Sequence, residues 1–251
     1  MRRNTNMNVG LALYTLRDEM EKDFKGTLEK VKQVGYQGVE FAGFGDHSSK
    51  EVKAMLEEIG LEPWSSHVPL EKLRNELQSV ITYHKEVGIP HIVCPYLTEE
   101  ERQTKTNYFD LAEELEEIGN QVREAGMVLL YHNHDFEFDT FDDEFGLDIL
   151  LRNTRTCNMA LECDTFWVEY AGHKATEYLA VHENRVPIIH VKDMKDGEIP
   201  FAEVGEGKLD IKGIIEAAKA VGTKYFIVEQ DVSERSPLES IEISFKNIQS
   251  L

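Results

Sequence analysis

Eight short apolar runs, each ending in polar residues and followed by a segment of helical period, recur along the whole chain. The runs read "NVGLALYTL", "GVEFAG", "PWSSHVP", "HIVCPYL", "MVLLYHNHD", "MALECDTFW", "VPIIHVKD" and "YFIVEQD". Strands apolar on both faces are buried on both sides, as in parallel sheets, and parallel strands need crossover connections. Segments such as "FKGTLEKVKQVG", "SKEVKAMLEEIG", "LRNELQSVITYHKEVG" and "KGIIEAAKAVG" supply those crossovers with apolar residues at helical spacing. Gly35, Gly60, Gly88, Gly126 and Gly222 stand where helices end in a left-handed residue. Eight such units in 251 residues match the size of one closed (β/α)8 barrel. A doubly wound open sheet is the alternative, but it concentrates its polar tips at one switch point. Here they follow nearly every strand in both halves. The expectation is an α/β chain folded as a single (β/α)8 barrel over residues 1–251, with no linker and no low-complexity segment.

Composition narrows the partners. Lys+Arg 27 against Asp+Glu 47 gives a net charge of −20. A surface that acidic repels phosphate backbones and anionic lipid, so no nucleic acid and no membrane is expected as a partner. No apolar run approaches the length of a membrane span. The start, "MRRNTNMNVG", has two arginines without an apolar stretch behind them, so no signal peptide is read and a cytoplasmic location is expected. Cys94, Cys157 and Cys163 are odd in number and lack C-x-x-C spacing, which fits reduced thiols.

The chemistry lies at the tips. Side chains two apart in a barrel strand face the same way. His132 and His134 therefore share a face, as do Glu162 and Asp164, His190 and Lys192, and Glu229 and Asp231. Several ionisable groups buried around one mouth must compensate one another or bind something. Carboxylates and imidazoles converging from different strands form an N/O ligand set for one divalent metal ion, Mn²⁺, Co²⁺, Mg²⁺ or Zn²⁺. Asp164, His190 and Glu229 are the core candidates. Each has an ordinary structural explanation: a core histidine bonded to a carbonyl, an ion pair of Glu229 with Lys224 or Lys192, a helix cap at Asp164. Three successive strand tips together favour a shared site. Tyr14, Arg17, Glu40, His67 and Tyr96 end the first four strands and are candidates for binding the polar groups of a small ligand, with Phe166 and Trp167 as walls of the pocket. Lys192 is placed to neutralise an oxyanion or to pair with Glu162 or Glu229.

With these residues in view, the chain resembles the sugar phosphate isomerase/epimerase group of xylose-isomerase-like TIM barrels. The segments "GLALYTLRD", "GYQGVEFAGF", "SSHVPL", "YHNHDFEF", "LECDTFWVEYAG", "VPIIHVKDM", "EVGEG" and "IVEQD" before "SPLESI" carry the resemblance in order. It implies one divalent metal held by Glu, Asp, His and Glu from the last four strands, and proton transfer next to a sugar carbonyl. Asp164, His190 and Glu229 match three of those ligands. On the fifth strand this chain has His132-Asn133-His134 where many relatives carry E-x-H. His132 takes the ligand place by alignment, whereas Glu137 keeps the carboxylate chemistry although alternation turns it from His132 and His134. Glu137 is the expected fourth ligand. Glu229 is the expected acid or base on one side, with Glu137, His132 or His134 opposite, and Glu162 is expected either to orient Asp164 or to support the ligands from behind.

The implied activity is a metal-dependent isomerase or epimerase acting on a ketose or keto-sugar. The same site followed by loss of a β-hydroxyl would make a dehydratase or lyase, as in inosose dehydratases and enzymes that cleave 3-keto-glycosides, and a histidine on the fifth strand leans that way. The related apurinic-site endonucleases need a basic DNA track, which −20 opposes. A barrel that only binds sugar would need a broken metal set. No phosphate loop or basic cluster is present, so an unphosphorylated sugar or cyclitol is the expected ligand, and a homodimer is the expected assembly.

Overall fold

A computed structural model describes residues 7–198 and 200–251. The arginines at the N-terminus, and the leader reading drawn from them, lie outside these residues. Eight parallel strands close the barrel: β1 (Val9–Ala12), β2 (Gly38–Phe41), β3 (Glu62–His67), β4 (His91–Cys94), β5 (Val128–His132), β6 (Met159–Asp164), β7 (Ile188–Val191) and β8 (Tyr225–Val228). Each strand pairs with its neighbour in sequence, and β8 returns to β1 through Gly10↔Ile227. The main crossover helices are α1 (Phe24–Val34), α2 (Ser49–Ile59), α3 (Leu70–Val87), α4 (Lys105–Glu124), α5 (Gly146–Arg152), α6 (Ala175–Ala180), α7 (Ile211–Ala220) and α8 (Pro237–Ile248). The (β/α)8 expectation is met, and all eight apolar runs are barrel strands.

Alternation sorts the strand residues into two cores. Leu11, Val39, Ile92, Leu129, Tyr131, Leu161, Ile189 and Val228 face outward and pack under the helices. Ala12, Trp64, Val93, Leu130, Ala160, Ile188 and Ile227 form a separate cluster, which places them inside the barrel. Two residues further along β5, β6, β7 and β8 come His132, Glu162, His190 and Glu229. The lumen is therefore apolar below and ionisable at the C-terminal mouth, as (β/α)8 geometry dictates.

Trp64 fills the lower lumen and is buried there. It needs two neighbours without side chains: a Cβ on Gly10 or on Gly38 would collide with the indole ring. Helix ends are set locally. Ser48 and Glu51 form a reciprocal capping box at the start of α2, and Gly60 ends that helix at φ 77°. Cys94 and Cys163 are buried and Cys157 exposed, all as free thiols. No helix among the described residues is long and apolar enough to cross a membrane.

Overpacking this lumen has a measurable cost. Gly38→Ala should lower unfolding free energy by about 1–3 kcal/mol in urea denaturation. The same substitution made in a Trp64→Leu chain should cost much less, because the colliding ring is gone.

Candidate metal centre

The tips of β5 to β8 converge in one buried cluster. Asp164 on β6 ends its strand and begins a short helix, and its Oδ1 accepts from the backbone N–H of Phe166 and Trp167 at 3.0 and 3.2 Å. The capping role and the ligand role are thus divided between two oxygens, leaving Oδ2 for the cluster. Lys192 Nζ lies 2.8 Å from that Oδ2, and His132 Nε2 lies 3.7 Å from it. His190 on β7 turns Nδ1 toward Glu229 Oε2 at 2.8 Å. Its Nε2 faces Glu162 Oε1 at 2.7 Å and Glu40 Oε1 at 2.9 Å. Lys192 also meets Glu229 at 2.7 Å and Asp231 at 2.9 Å.

His132, Asp164, His190 and Glu229 each offer one ligand atom, all within 4.8 Å of one another and all buried. A second group, His67, His132, Glu162 and His190, shares two of these histidines and lies within the same limit. Each group places two residues on an open cavity of about 390 Å³, His132 with Glu229 and His132 with His67; the first is the better candidate because it brings two carboxylates to a hard divalent ion where the second brings one. The donor set fits a divalent ion. His132 Nδ1, Asp164 Oδ2, His190 Nε2 and both Glu162 oxygens are buried without a hydrogen bond of proper geometry, and groups in that state cost free energy unless compensated. If Nδ1 of His190 is a ligand, Glu162 takes the remaining ring N–H, the usual outer partner of a metal-bound histidine.

Charge and burial set the protonation states. Burial pushes Glu40 up to about 7, with Glu162 beside it adding repulsion. Burial works the same way on Glu162, but His190 and His67 outweigh it and hold that carboxyl below the usual range. Glu229 is likewise held well below it, since Lys192 and His190 overcome its burial. Burial, with His190 second, keeps His132 well below the ordinary imidazole value, the neutral form a ligand needs. Burial, with Lys192 second, brings His134 down to about 3.

Glu137, the expected fourth ligand, is elsewhere. Tyr131 Oη–H donates to its Oε1 at 2.6 Å and the His134 backbone N–H donates to its Oε2 at 2.7 Å. Tyr131 faces the helix layer, so strict alternation holds and carries Glu137 to the outer side of β5. Both carboxylate oxygens are used to tie the turn after the strand. His132 stands in the cluster in its place.

The other expected residues divide. Tyr14, His67, Tyr96, His132, His134, Glu229 and Asp231 line the mouth. Trp167 flanks His134 at 5.6 Å between ring centres. Glu40 is not a lining residue; it is buried beneath, accepting from Ser65 Oγ at 2.7 Å. Arg17 sits behind the rim, donating to the carbonyls of Tyr14 and Asp231 at 3.0 and 3.1 Å. Glu162 meets His190 Nε2 at 2.7 Å, the second of its two expected roles, support behind a ligand. Asn133 was not anticipated: its side chain accepts from Asp164 N–H and donates to Asp164 C=O, stitching β5 to β6. An amide between two histidines at a strand tip was the signal available.

The model of the family described as xylose isomerase-like TIM barrel matches residues 28–250. An inosose dehydratase of Clostridium perfringens is 24% identical, covering 94% of this chain and 94% of that protein. A crystal structure of a sugar phosphate isomerase/epimerase from Parabacteroides distasonis superposes with a TM-score of 0.85 at 23% identity, covering 100% of this chain and 96% of that one. The zinc-bound IolI protein superposes at 0.78 with 18% identity, covering 97% of each chain.

Metal content of purified protein supplied with a divalent ion tests the ligand set. Asp164→Ala and His190→Ala should abolish binding, and Glu162→Gln should weaken it about 10–100-fold. Glu137→Gln should keep the metal. Burial also raises the Glu137 carboxyl from 4.5 to about 8, so the folded chain holds a proton that the unfolded chain loses. Its contribution to stability is present below about pH 4.5 and is lost as pH rises through about 8. Over that window wild type should lose more stability than Glu137→Gln in urea titrations.

Proposed function

The chain belongs to the xylose isomerase-like TIM barrel family, and from that premise we propose that it is a divalent-metal-dependent lyase of the dehydratase type. It removes a proton next to the carbonyl of an unphosphorylated keto-cyclitol or keto-sugar and expels the oxygen on the β-carbon. The observation that carries this reading is a neutral imidazole, His134, lining the mouth beside the ligand group of His132, Asp164, His190 and Glu229.

A divalent ion held by those four residues would supply Lewis acidity for the substrate carbonyl and for the charge that develops on it. His134, lining the mouth beside the ligand group, takes the proton from the neighbouring carbon. The imidazolium then returns that proton to the departing β-oxygen, so carbon loses H and OH together and water leaves. Glu162 and Glu40 face His190 Nε2 at 2.7 and 2.9 Å as opposite charge, while Nδ1 is turned to Glu229. Lys192, in contact with three carboxylates, offsets their charge at the edge of the mouth.

The residues lining the mouth include no Lys or Arg, and Arg17 is occupied by backbone carbonyls. That favours an uncharged, unphosphorylated substrate. The inosose dehydratase relative supports elimination, and the zinc of IolI supports a divalent ion. A second reading, epimerase, returns the proton to carbon on the other face without loss of oxygen; the Parabacteroides distasonis neighbour keeps it in view.

Incubation with an inosose in D2O separates the two. The lyase should give a dehydrated, conjugated product seen by ultraviolet absorbance, and His134→Ala should slow it about 10²–10⁴-fold while retaining metal. Deuterium at the α-carbon of a product that keeps all its hydroxyls would establish the epimerase instead.

A further inference from the structure

His134 is held differently from the buried histidines of this chain. His84 and His91 each turn Nδ1 to a backbone carbonyl, at 2.7 and 2.6 Å, and His190 turns Nδ1 to Glu229 at 2.8 Å. Such a partner fixes both the ring plane and the nitrogen that carries the hydrogen. His134 Nδ1 is buried with no partner. His132 shares that state, but its place is in the ligand group. What orients the His134 ring is therefore not a hydrogen bond at that nitrogen.

Rings take over the task. Phe136 lies parallel to the imidazole, 5.3 Å away between centres, with 5° between the planes. Tyr96 stands perpendicular to both, at 5.4 and 5.5 Å. The chain after β5 produces this stack. It enters a 3-10 turn, Phe136–Phe138, whose Glu137 accepts from the His134 N–H at 2.7 Å, and the ring of Phe136 comes to lie beside the imidazole. Arg102, on the loop after β4, covers the Phe136 ring with Cζ 3.8 Å from its centre. Its Nε is buried without a partner, and the neighbouring Glu101 pairs with Arg74 instead. Carboxylates are plentiful on a chain with 47 acidic and 27 basic residues, yet this guanidinium packs on a phenyl ring.

We propose that Phe136, seated by Arg102, is a positioning residue for His134, and that this stack aims the imidazole at the proton next to the substrate carbonyl. The inference rests on the reading of His134 as the base and deepens it. A base works only within hydrogen-bond reach of the proton it removes, so the plane of the ring matters as much as its presence. Stacking fixes that plane and occupies neither nitrogen.

The test uses metal-loaded full-length protein, an inosose, and the same inosose deuterated next to its carbonyl. Phe136→Leu should lower kcat about 10–100-fold, as a slightly misplaced base does, with KM nearly unchanged and the metal retained. Its deuterium isotope effect on kcat should be at least that of wild type, because C–H cleavage is the step slowed. Phe136→Tyr keeps the ring and should recover most of the loss. Arg102→Met leaves Phe136 in place and should lower kcat about two- to fivefold, with Arg102→Lys recovering part. An unchanged kcat in Phe136→Leu, a loss that Phe136→Tyr does not recover, or a loss carried by KM overturns the proposal. The reading of His134 as base then stands as long as His134→Ala is slow. If Phe136→Leu fails to fold or loses its metal, Arg102→Met decides: a lower kcat at constant KM upholds the stack, and an unchanged kcat ends it. If His134→Ala dehydrates the inosose as fast as wild type, or wild type does not dehydrate it, the base reading fails and the stack's role with it.

Discussion

The mouth of this barrel buries more negative charge than its own cations offset. Glu40, Glu162, Asp164 and Glu229 lie within a few ångströms of one another, each 3% exposed or less, with Asp231 at the edge. Among the described residues Lys192 is the one buried lysine facing them, His190 is held protonated by Glu162, Glu40 and Glu229 against its burial, and His67 at the rim is shifted the same way, Glu40 and Glu162 outweighing its burial. Desolvating an ion costs several kcal/mol even after relaxation, and only close opposite charge repays it. A divalent cation between His132, Asp164, His190 and Glu229 would remove the deficit at once. It would also displace the proton from His190 Nδ1 and leave Nε2–H for Glu162. The cluster is arranged for a charge the polypeptide does not contain.

Holding such a cluster demands rigid support. The strands below it are packed on both faces, and Trp64 closes the lower lumen against two glycines. Beside it, Asn133 locks β5 to β6 through both backbone groups of Asp164. After β7, Asp193 accepts from the backbone N–H groups of Met194, Gly205, Gly207 and Leu209. That one buried carboxylate pins the glycine-rich loop, so "EVGEG" serves as a clamp on the wall around Phe166 and Phe201.

Much of this was legible in the sequence because a strand's period of two is rigid. The pairs Glu162/Asp164 and His190/Lys192 could be assigned to the lumen without coordinates, and the eight runs fixed the barrel. Glu137 shows what happens when chemical analogy is allowed to override geometry: alternation already turned it outward, and Tyr131 and the His134 N–H receive it there. Glu40 and Arg17 stand at strand tips as expected, but a tip residue can turn down into the lumen or back behind the rim, and spacing does not distinguish these.

The choice between elimination and epimerisation is then a question about the β-oxygen more than about the metal. Both reactions begin with loss of the same proton and the same charge on the carbonyl oxygen. They part at the next step, where the proton returns either to carbon or to a leaving oxygen. The acidic exterior bears on the substrate of either reaction, because a chain at −20 repels phosphorylated sugars but not neutral ones. Selection for an uncharged substrate would thus begin before it reaches the mouth.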